Sequence, residues 1–236
     1  SLYEGELLGS INKVFFDKSK KKITLATSSG SANLLRSILL VSLSIKLTSL
    51  LEYKIIKNKS DLKIAVMADV GRCDYEQDIL PKEESVIDMI RVATYIHQIP
   101  TAIKMIEDFK QKGYEVCVNI MAVSKVNSDD LAAGLQLLSR SSVDVIYLVD
   151  SFGSFYPEQI TKLAQQYVDV ANASGKIVGM HAHNNQQLAF ANTIEACRNG
   201  VCLLDATVNG MGRGAGNCYS ESLLSFLKNP KYNEVP

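Results

Sequence analysis

Six short apolar runs recur along the chain from residue 63 onward, and they constrain its fold more than any other feature. Each run is almost continuously hydrophobic, which is typical of a strand buried on both faces of a parallel sheet. Helix-like stretches separate the runs, and the repeat of roughly 29 residues is the spacing of βα units. The predicted strands are Lys63–Ala68, Val86–Ala93, Glu115–Ala122, Val143–Val149, Lys176–His181 and Leu203–Val208. The predicted helices are Thr101–Lys112, Ser128–Ser139, Pro157–Ala173, Asn185–Asn199 and Ser220–Lys228.

This pattern predicts an α/β fold, and two architectures fit it: a (β/α)8 barrel and an open doubly wound sheet. A barrel needs eight strands, so residues 1–61 would have to supply two of them. There we predict one strand at Lys21–Ser28 and a long helix at Ser31–Lys57, which together make about one βα unit. A further strand at Lys13–Phe16 would leave no room for a crossover helix. We therefore expect residues 1–61 to form an irregular or partial unit.

Charge and composition argue against several classes of function. The 25 basic side chains equal the 25 acidic ones, whereas a nucleic-acid or anionic-membrane surface would need a basic excess. No apolar stretch reaches the ~20 residues of a membrane span, and the N-terminus lacks the apolar core of a secretory signal. The five cysteines are odd in number and include no C-x-x-C pair, which favours reduced thiols. We expect a cytoplasmic protein that binds neither nucleic acid nor membrane.

The pair His181 and His183 is the sharpest functional signal, and it closes a predicted strand. Active sites of parallel α/β proteins lie at this end of the strands, although strand ends also turn polar simply because they meet solvent. Side chains two apart on a strand share a face, so both imidazoles can bind one metal ion. The alternative is a pair of hydrogen-bonded or exposed histidines. Oxygen ligands from a carboxylate, an amide and water would complete a site for Mg, Mn or Zn.

A glycine-rich segment at 210–217 follows the last predicted strand. Gly210, Gly212 and Ala215 formally match the dinucleotide fingerprint, but that fingerprint normally opens its domain, and here the chain ends about twenty residues later. We interpret the segment as a loop whose glycines let the backbone approach a metal or a carboxylate substrate. Asn217 is then a candidate oxygen ligand.

These residues resemble the DRE-TIM metallolyases, the family of HMG-CoA lyase and of the pyruvate carboxyltransferase domains. Within it the chain is most similar to the 4-hydroxy-2-oxovalerate aldolases. The resemblance implies a TIM barrel. We expect residues 1–236 to form a single barrel domain that is incomplete at its N-terminus, in which residues 62–228 contain strands three to eight. The segments that carry the resemblance are His181–Asn185, Ala191–Thr193 and Asp205–Asn217, supported by 86–94, 113–124 and 149–151.

The resemblance also implies one divalent cation, Mn or Mg before Zn or Co, bound by His181, His183 and Asn217. Ser151 would contact the carboxylate of a 2-oxo acid, and we predict that the loop backbone at Gly212 and Gly214 lines the same carboxylate. The implied reaction is cleavage of a 4-hydroxy-2-oxo acid to pyruvate and an aldehyde through a metal-stabilised enolate. The expected partner is the small-molecule 2-oxo acid, and a homodimer is a further expectation.

The sequence departs from the family in ways that leave the catalytic residues unassigned. The Asp-Arg motif of the first strand, which supplies a metal carboxylate and an enolate-stabilising arginine, is not found, and Tyr95 stands where the aldolases carry a histidine. The C-terminal domain that couples the aldolases to a dehydrogenase is not found either, and the chain begins without Met. We therefore expect the chain to be a truncated or misassembled product. Two alternatives stay open: a Claisen-type acyl-CoA condensing enzyme similar to isopropylmalate synthase, and a catalytically degenerate barrel fragment.

Overall fold

The computed structural model describes residues 63–226 in full and, before them, the backbone of four strands. These strands are β1 (Leu2–Gly5), β2 (Ile11–Asp17), β3 (Lys22–Thr27) and β4 (Ile38–Val41). The strands that follow are β5 (Lys63–Asp69), β6 (Met89–Thr94), β7 (Glu115–Ile120), β8 (Val145–Asp150), β9 (Ile177–Ala182) and β10 (Leu203–Leu204).

The main sheet has seven parallel strands in the order β10-β9-β8-β7-β6-β5-β4. Each strand pairs with its neighbour along the chain, and the order never reverses. A doubly wound sheet requires such a reversal, whereas the wall of a (β/α) barrel has none. The α/β barrel-type architecture is therefore confirmed over the described strands, and the doubly wound alternative is wrong.

Helices follow most strands, as the βα repeat predicts. They are α1 (Tyr75–Asp78), α2 (Ile99–Gln111), α3 (Ser128–Ser139), α4 (Pro157–Ala173), α5 (Ala189–Arg198) and α6 (Ser220–Phe226), with short 3-10 turns at Lys82–Glu84, Ile96–Gln98, Val123–Lys125 and Val208–Gly210. Local capping sets several boundaries: the Asn127 side chain accepts a hydrogen bond from the backbone N–H of Asp130 at 2.8 Å and starts α3. Pro157 occupies the first turn of α4. No helix within the described ranges is long and apolar enough to cross a bilayer.

The two faces of the sheet have different environments. Alternate strand residues such as Ile90 and Val92 pack with the helices in the larger core cluster. The opposite face holds a smaller apolar cluster made only of strand residues, which corresponds to the barrel interior. Its members are Ala65, Met89, Cys117, Val145, Tyr147 and Val149. Burial on both faces explains why β6 and β8 are buried along their whole length and read as continuous apolar runs.

The N-terminal quarter differs from its prediction. The helix predicted over Ser31–Lys57 is wrong at Ile38–Val41, which is a strand paired in parallel with β5, because this short aliphatic run fits a buried strand as well as a helix. A strand does form over Lys13–Phe16, within β2, but it lies outside the main sheet: β2 pairs antiparallel with β3 in a separate three-stranded sheet, and antiparallel neighbours need no crossover helix. The residues of 1–62 between and around the four strands lie outside the described residues.

Candidate active site

The predicted ligands lie at the carboxyl end of the parallel strands. His181 is in β9 and His183 follows it directly, and their ring centroids are 5.1 Å apart. The backbone of His183 forms an isolated antiparallel bridge with Asn217, which lies in the glycine-rich loop after β10. The structure therefore brings all three predicted metal ligands to one place.

Polar side chains share the inward face of the sheet with the apolar interior cluster. Each of them lies two residues beyond another inward-facing residue of its own strand: Arg91 follows Met89, Asn119 follows Cys117, and His181 follows Gly179. Asp205, two residues beyond Leu203, completes the group. We call Arg91, Asn119, His181 and Asp205 the polar layer.

Asp205 joins the other members of this layer through its carboxylate. Its Oδ2 lies 2.8 Å from Nδ1 of His181 and accepts a hydrogen bond from Nη2 of Arg91 at 2.6 Å. Its Oδ1 accepts from Nη1 of Arg91 at 3.1 Å. Burial alone would raise the pKa of the Asp205 carboxyl, but the charge of Arg91 and the His181 hydrogen bond hold that pKa well below its usual range. Asp205 is therefore a carboxylate at neutral pH.

Arg91 is only 1% exposed, and each of its three guanidinium nitrogens donates a hydrogen bond. Besides the two bonds to Asp205, its Nε donates to Oδ1 of Asn119 at 3.3 Å. The guanidinium carbon lies 4.1 Å from the centre of the Tyr147 ring, which is the geometry of a cation–π contact. Arg91 is thus a structural cation of the polar layer.

His183 is half-buried, and its environment favours the neutral imidazole. Burial and the neighbouring His181 lower the pKa of His183, while a hydrogen bond to the Gly216 carbonyl acts in the opposite direction. Neutral imidazole is the form that binds metal ions. The protonation state of His183 therefore suits the predicted role.

Asn217 has an unused acceptor. Its Nδ2 donates to the carbonyl of Met211 at 3.0 Å, and its Oδ1 is buried without a hydrogen-bond partner. A buried amide oxygen without a partner is unfavourable unless an ion or a water satisfies it. Two imidazoles and this oxygen fit a divalent cation, although among residues 63–226 no cluster of three His, Cys, Asp or Glu side chains is placed to hold one.

Ser151 lies one residue beyond β8. Its Oγ accepts a hydrogen bond from the backbone N–H of Ala122 at 2.9 Å. A hydroxyl that accepts in this way keeps its own proton, so Ser151 remains able to donate to a substrate carboxylate.

The glycines near Ser151 and Asn217 differ in how much space a side chain would have at their positions. A Cβ on Gly212 would lie 2.4 Å from Nδ2 of Asn217, and a Cβ on Gly153 would lie 2.6 Å from the carbonyl oxygen of His183. Gly214 has space around it, the nearest atom being Nδ2 of Asn185 at 3.9 Å, and needs glycine only for its φ of +65°. Gly212 therefore controls the position of Asn217, and Gly153, which the sequence analysis missed, controls the approach of the β8 loop to β9.

Other polar residues at the strand ends have structural partners. The Asp150 carboxylate accepts from the backbone N–H groups of Ser154 and Phe155 at 3.0 and 3.2 Å and so holds the loop after β8. Tyr95 is 43% exposed and stacks on His97, with ring centroids 5.9 Å apart.

The sequence analysis gave no role to Asp205, which joins Arg91 and His181 in the structure. The available signal was that Asp205 is the first residue of the segment Asp205–Asn217, which carries part of the family resemblance.

Comparison with known proteins identifies relatives over most of the chain. A family model described as HMGL-like matches residues 26–234. A 4-hydroxy-2-oxovalerate aldolase from Pelotomaculum thermopropionicum is 30% identical over 174 residues, which is 74% of this chain and 50% of the relative. An oxaloacetate decarboxylase from Mycobacterium tuberculosis is 36% identical over 143 residues, 60% of this chain and 41% of the relative. The chain thus spans about half the length of these curated relatives.

Solved structures show the same fold. The N-terminal domain of a Bacteroides vulgatus protein assigned as an aldolase has a TM-score of 0.63 and 32% identity, covering 77% of this chain and 61% of that one. The HMG-CoA lyase of Brucella melitensis has a TM-score of 0.60 at 16% identity, covering 76% and 71% of the two chains. Because such neighbours are TIM barrels, the predicted fold class is confirmed.

Proposed function

The chain belongs to the HMGL-like family, whose enzymes generally depend on a divalent metal, and on that premise we propose that it is a lyase that cleaves a 4-hydroxy-2-oxo acid to pyruvate and an aldehyde. The observation that carries this proposal is the grouping of His181, His183 and Asn217, with a buried amide oxygen that lacks a partner. The relatives named as 4-hydroxy-2-oxovalerate aldolases support the choice of substrate class.

Each side chain has a role that follows from its chemistry. His181 and His183 bind the cation through ring nitrogens, and Asn217 binds it through Oδ1. Ser151 donates its hydroxyl proton to the substrate carboxylate and so orients the 2-oxo acid. When bound, a divalent cation supplies Lewis-acid stabilisation of the negative charge that develops as the carbon–carbon bond breaks.

Decarboxylation of a 2-oxo diacid such as oxaloacetate is the second candidate. It breaks a different bond but leaves the same pyruvate enolate, and a relative of that name is 36% identical. Retro-aldol cleavage needs a base for the 4-hydroxyl proton, whereas loss of CO2 from a carboxylate needs none. Tyr95, at the aldolases' histidine position, is exposed and stacked on His97. No other base for the 4-hydroxyl proton is assigned in the part of the chain that the structure describes. Decarboxylation, which needs no such base, is therefore retained as the second candidate function.

A metal-content measurement tests the site. The wild-type protein, purified in the presence of Mn2+, is expected to retain one equivalent, and the double variant His181→Ala/His183→Ala is expected to lose it. The third histidine gives a matched control, since His97→Ala removes an imidazole on the 3-10 turn after β6 and should leave the metal content unchanged. Equal metal content in the double variant and the wild type would contradict the site.

A substrate comparison tests the reaction. Pyruvate release is measured from 4-hydroxy-2-oxovalerate and from oxaloacetate, with a protein-free Mn2+ blank because oxaloacetate decarboxylates with the ion alone. Ser151→Ala should weaken turnover of the preferred acid, while Ser154→Ala on the same loop should not. Turnover of oxaloacetate alone would favour the decarboxylase, and condensation of acetyl-CoA with a 2-oxo acid would favour the Claisen-type alternative. A protein that turns over none of these would be the degenerate barrel.

A further inference from the structure

We infer that Asp205 is a positioning residue that fixes the His181 ring with Nε2 as its metal-binding nitrogen, and that Arg91 holds Asp205 in place for this purpose. This role rests on the proposed metal site, because Asp205 and Arg91 would orient one of its ligands before the metal binds. It follows from the contacts of the polar layer.

The first step concerns the proton on His181. A carboxylate can only accept hydrogen bonds, so an Asp205 Oδ2 at 2.8 Å from Nδ1 requires the proton to lie on Nδ1. In the neutral ring the lone pair is then on Nε2. A histidine that donates its other ring N–H to a carboxylate is also more basic and better oriented as a metal ligand.

The second step concerns what holds Asp205. The two bonds from Arg91 form a fork that fixes both carboxylate oxygens in one orientation. Arg91 is itself fixed by Asn119 and by the ring of Tyr147. The ring of Tyr147 fits beside β9 only because residue 179 is glycine, where a Cβ would lie 2.4 Å from Cε1 of the ring. The orientation of His181 thus depends on side chains from β6, β7 and β8 and on the glycine at position 179 of β9.

The third step is that stability alone does not account for this arrangement. The apolar cluster occupies the same inward face of the sheet, and in many proteins a buried ion pair can be replaced by apolar side chains without loss of stability. The Asp205 carboxylate of this pair also contacts His181, one of the two histidines at the carboxyl end of the strands. Its specific consequence is therefore the orientation and tautomer of this ring.

The test is 15N NMR of the imidazole nitrogens in the metal-free protein at about pH 8, where unperturbed imidazoles are neutral. The chain has three histidines, so His97→Gln and His183→Gln assign the signals. We expect the wild-type His181 to have a protonated Nδ1 and an unprotonated Nε2. In Asp205→Asn the Nε2-protonated form should appear, and the affinity for Mn2+ or Co2+ should fall ~10- to 100-fold.

A matched control is Asp144→Asn. The Asp144 carboxylate also accepts two hydrogen bonds from a cation, Nζ of Lys110 at 2.9 Å to each oxygen, but it lies just before β8 at the opposite end of the sheet. This variant should keep the wild-type tautomer of His181 and the wild-type metal affinity.

A wild-type His181 protonated on Nε2 would overturn the inference, and this measurement does not depend on the folding of Asp205→Asn. An Asp205→Asn protein with unchanged tautomer and unchanged Mn2+ affinity would overturn it as well. A wild-type protein with the expected tautomer that binds neither Mn2+ nor Co2+ would instead overturn the proposed function, and with it the metal-binding role of Nε2.

Discussion

Arg91 and Asp205 are 114 residues apart in the sequence, yet they form a forked ion pair inside the barrel wall, with N–O distances of 2.6 and 3.1 Å. Arg91 comes from the fully buried strand β6, and Asp205 comes from the residue after β10. The pair therefore links the middle of the sheet to its last strand. Its partners are buried unequally, with side-chain exposures of 1% and 15%.

Breaking this pair on one side should destabilise the protein strongly. Arg91→Met leaves a buried carboxylate without its cation, so the free energy of unfolding should fall by about 3–5 kcal/mol. Replacing both partners, in Arg91→Met/Asp205→Leu, should restore most of that loss, because no buried charge remains. Urea denaturation of the wild type and both variants measures the difference. A loss no larger than that of Lys110→Met, which breaks a partly exposed pair, would contradict this account.

Gly212 and Gly214 should differ in their effect on ligand binding. Gly212→Ala places a methyl group against the Asn217 side chain and should displace its Oδ1, so the affinity for Mn2+ and for oxalate should fall at least ~10-fold. Gly214→Ala has room for its methyl group and should lower stability by ~1 kcal/mol through its positive φ. Calorimetric titration of both variants makes the comparison. Stronger loss of binding in Gly214→Ala would show that the loop contacts the ligand through Gly214 instead.

Thiol reactivity should follow burial. All five cysteines are free; Cys202 is exposed, whereas Cys117 and Cys218 are fully buried. Iodoacetamide should therefore modify Cys202 in the native protein and should reach Cys117 and Cys218 only in urea, because a buried thiol is both inaccessible and hard to ionise. Peptide mass mapping after timed labelling measures the rate of modification at each cysteine. Native-state labelling of Cys117 as fast as that of Cys202 would contradict the burial.

Stability should decline at alkaline pH, and Cys218 should account for a measurable part of the decline. Burial raises the pKa of the Cys218 thiol to about 11 in the folded protein, against an ordinary thiol value of about 8.5. Between these values the unfolded chain releases the proton while the folded chain keeps it, so unfolding becomes more favourable as pH rises. From about pH 8 to about pH 10 this thiol should remove about 2 kcal/mol of stability.

The matched pair for this measurement is Cys218→Ala and Cys202→Ala. Cys218→Ala should show a smaller decline from about pH 8 to about pH 10 than the wild type, whatever its stability at the lower pH. Cys202→Ala, which removes an exposed thiol, should follow the wild type. Parallel declines in the wild type and Cys218→Ala would rule out this thiol as a cause.

Helix boundaries with local signals could be predicted from the sequence. Ser128–Ser139 and Pro157–Ala173 were predicted and found with the same bounds, because Asn127 and Pro157 mark their starts in the chain itself. The strand predicted at Leu203–Val208 is only two residues long. There, Thr207 bridges to Tyr219, an interaction with no local signal.

The site could be predicted only where its residues are close in sequence. His181 and His183 were found from their spacing, since two positions on a strand share a face. The pairing of Arg91 with Asp205 could not be found in this way, because it depends on how far the sheet curves between β6 and β10. The one available signal was a charge within the apolar run 86–94, which indicates a buried arginine but not its partner.

The distance in sequence between Arg91 and Asp205 also orders events during synthesis. A ribosome that adds ~5–20 residues per second emits Arg91 about 6–23 s before Asp205. Until Asp205 has been made, the Arg91 guanidinium lacks the carboxylate with which it pairs in the folded protein. The forked pair, and the contact of Asp205 with His181, can therefore form only after the last strand of the sheet has been synthesised.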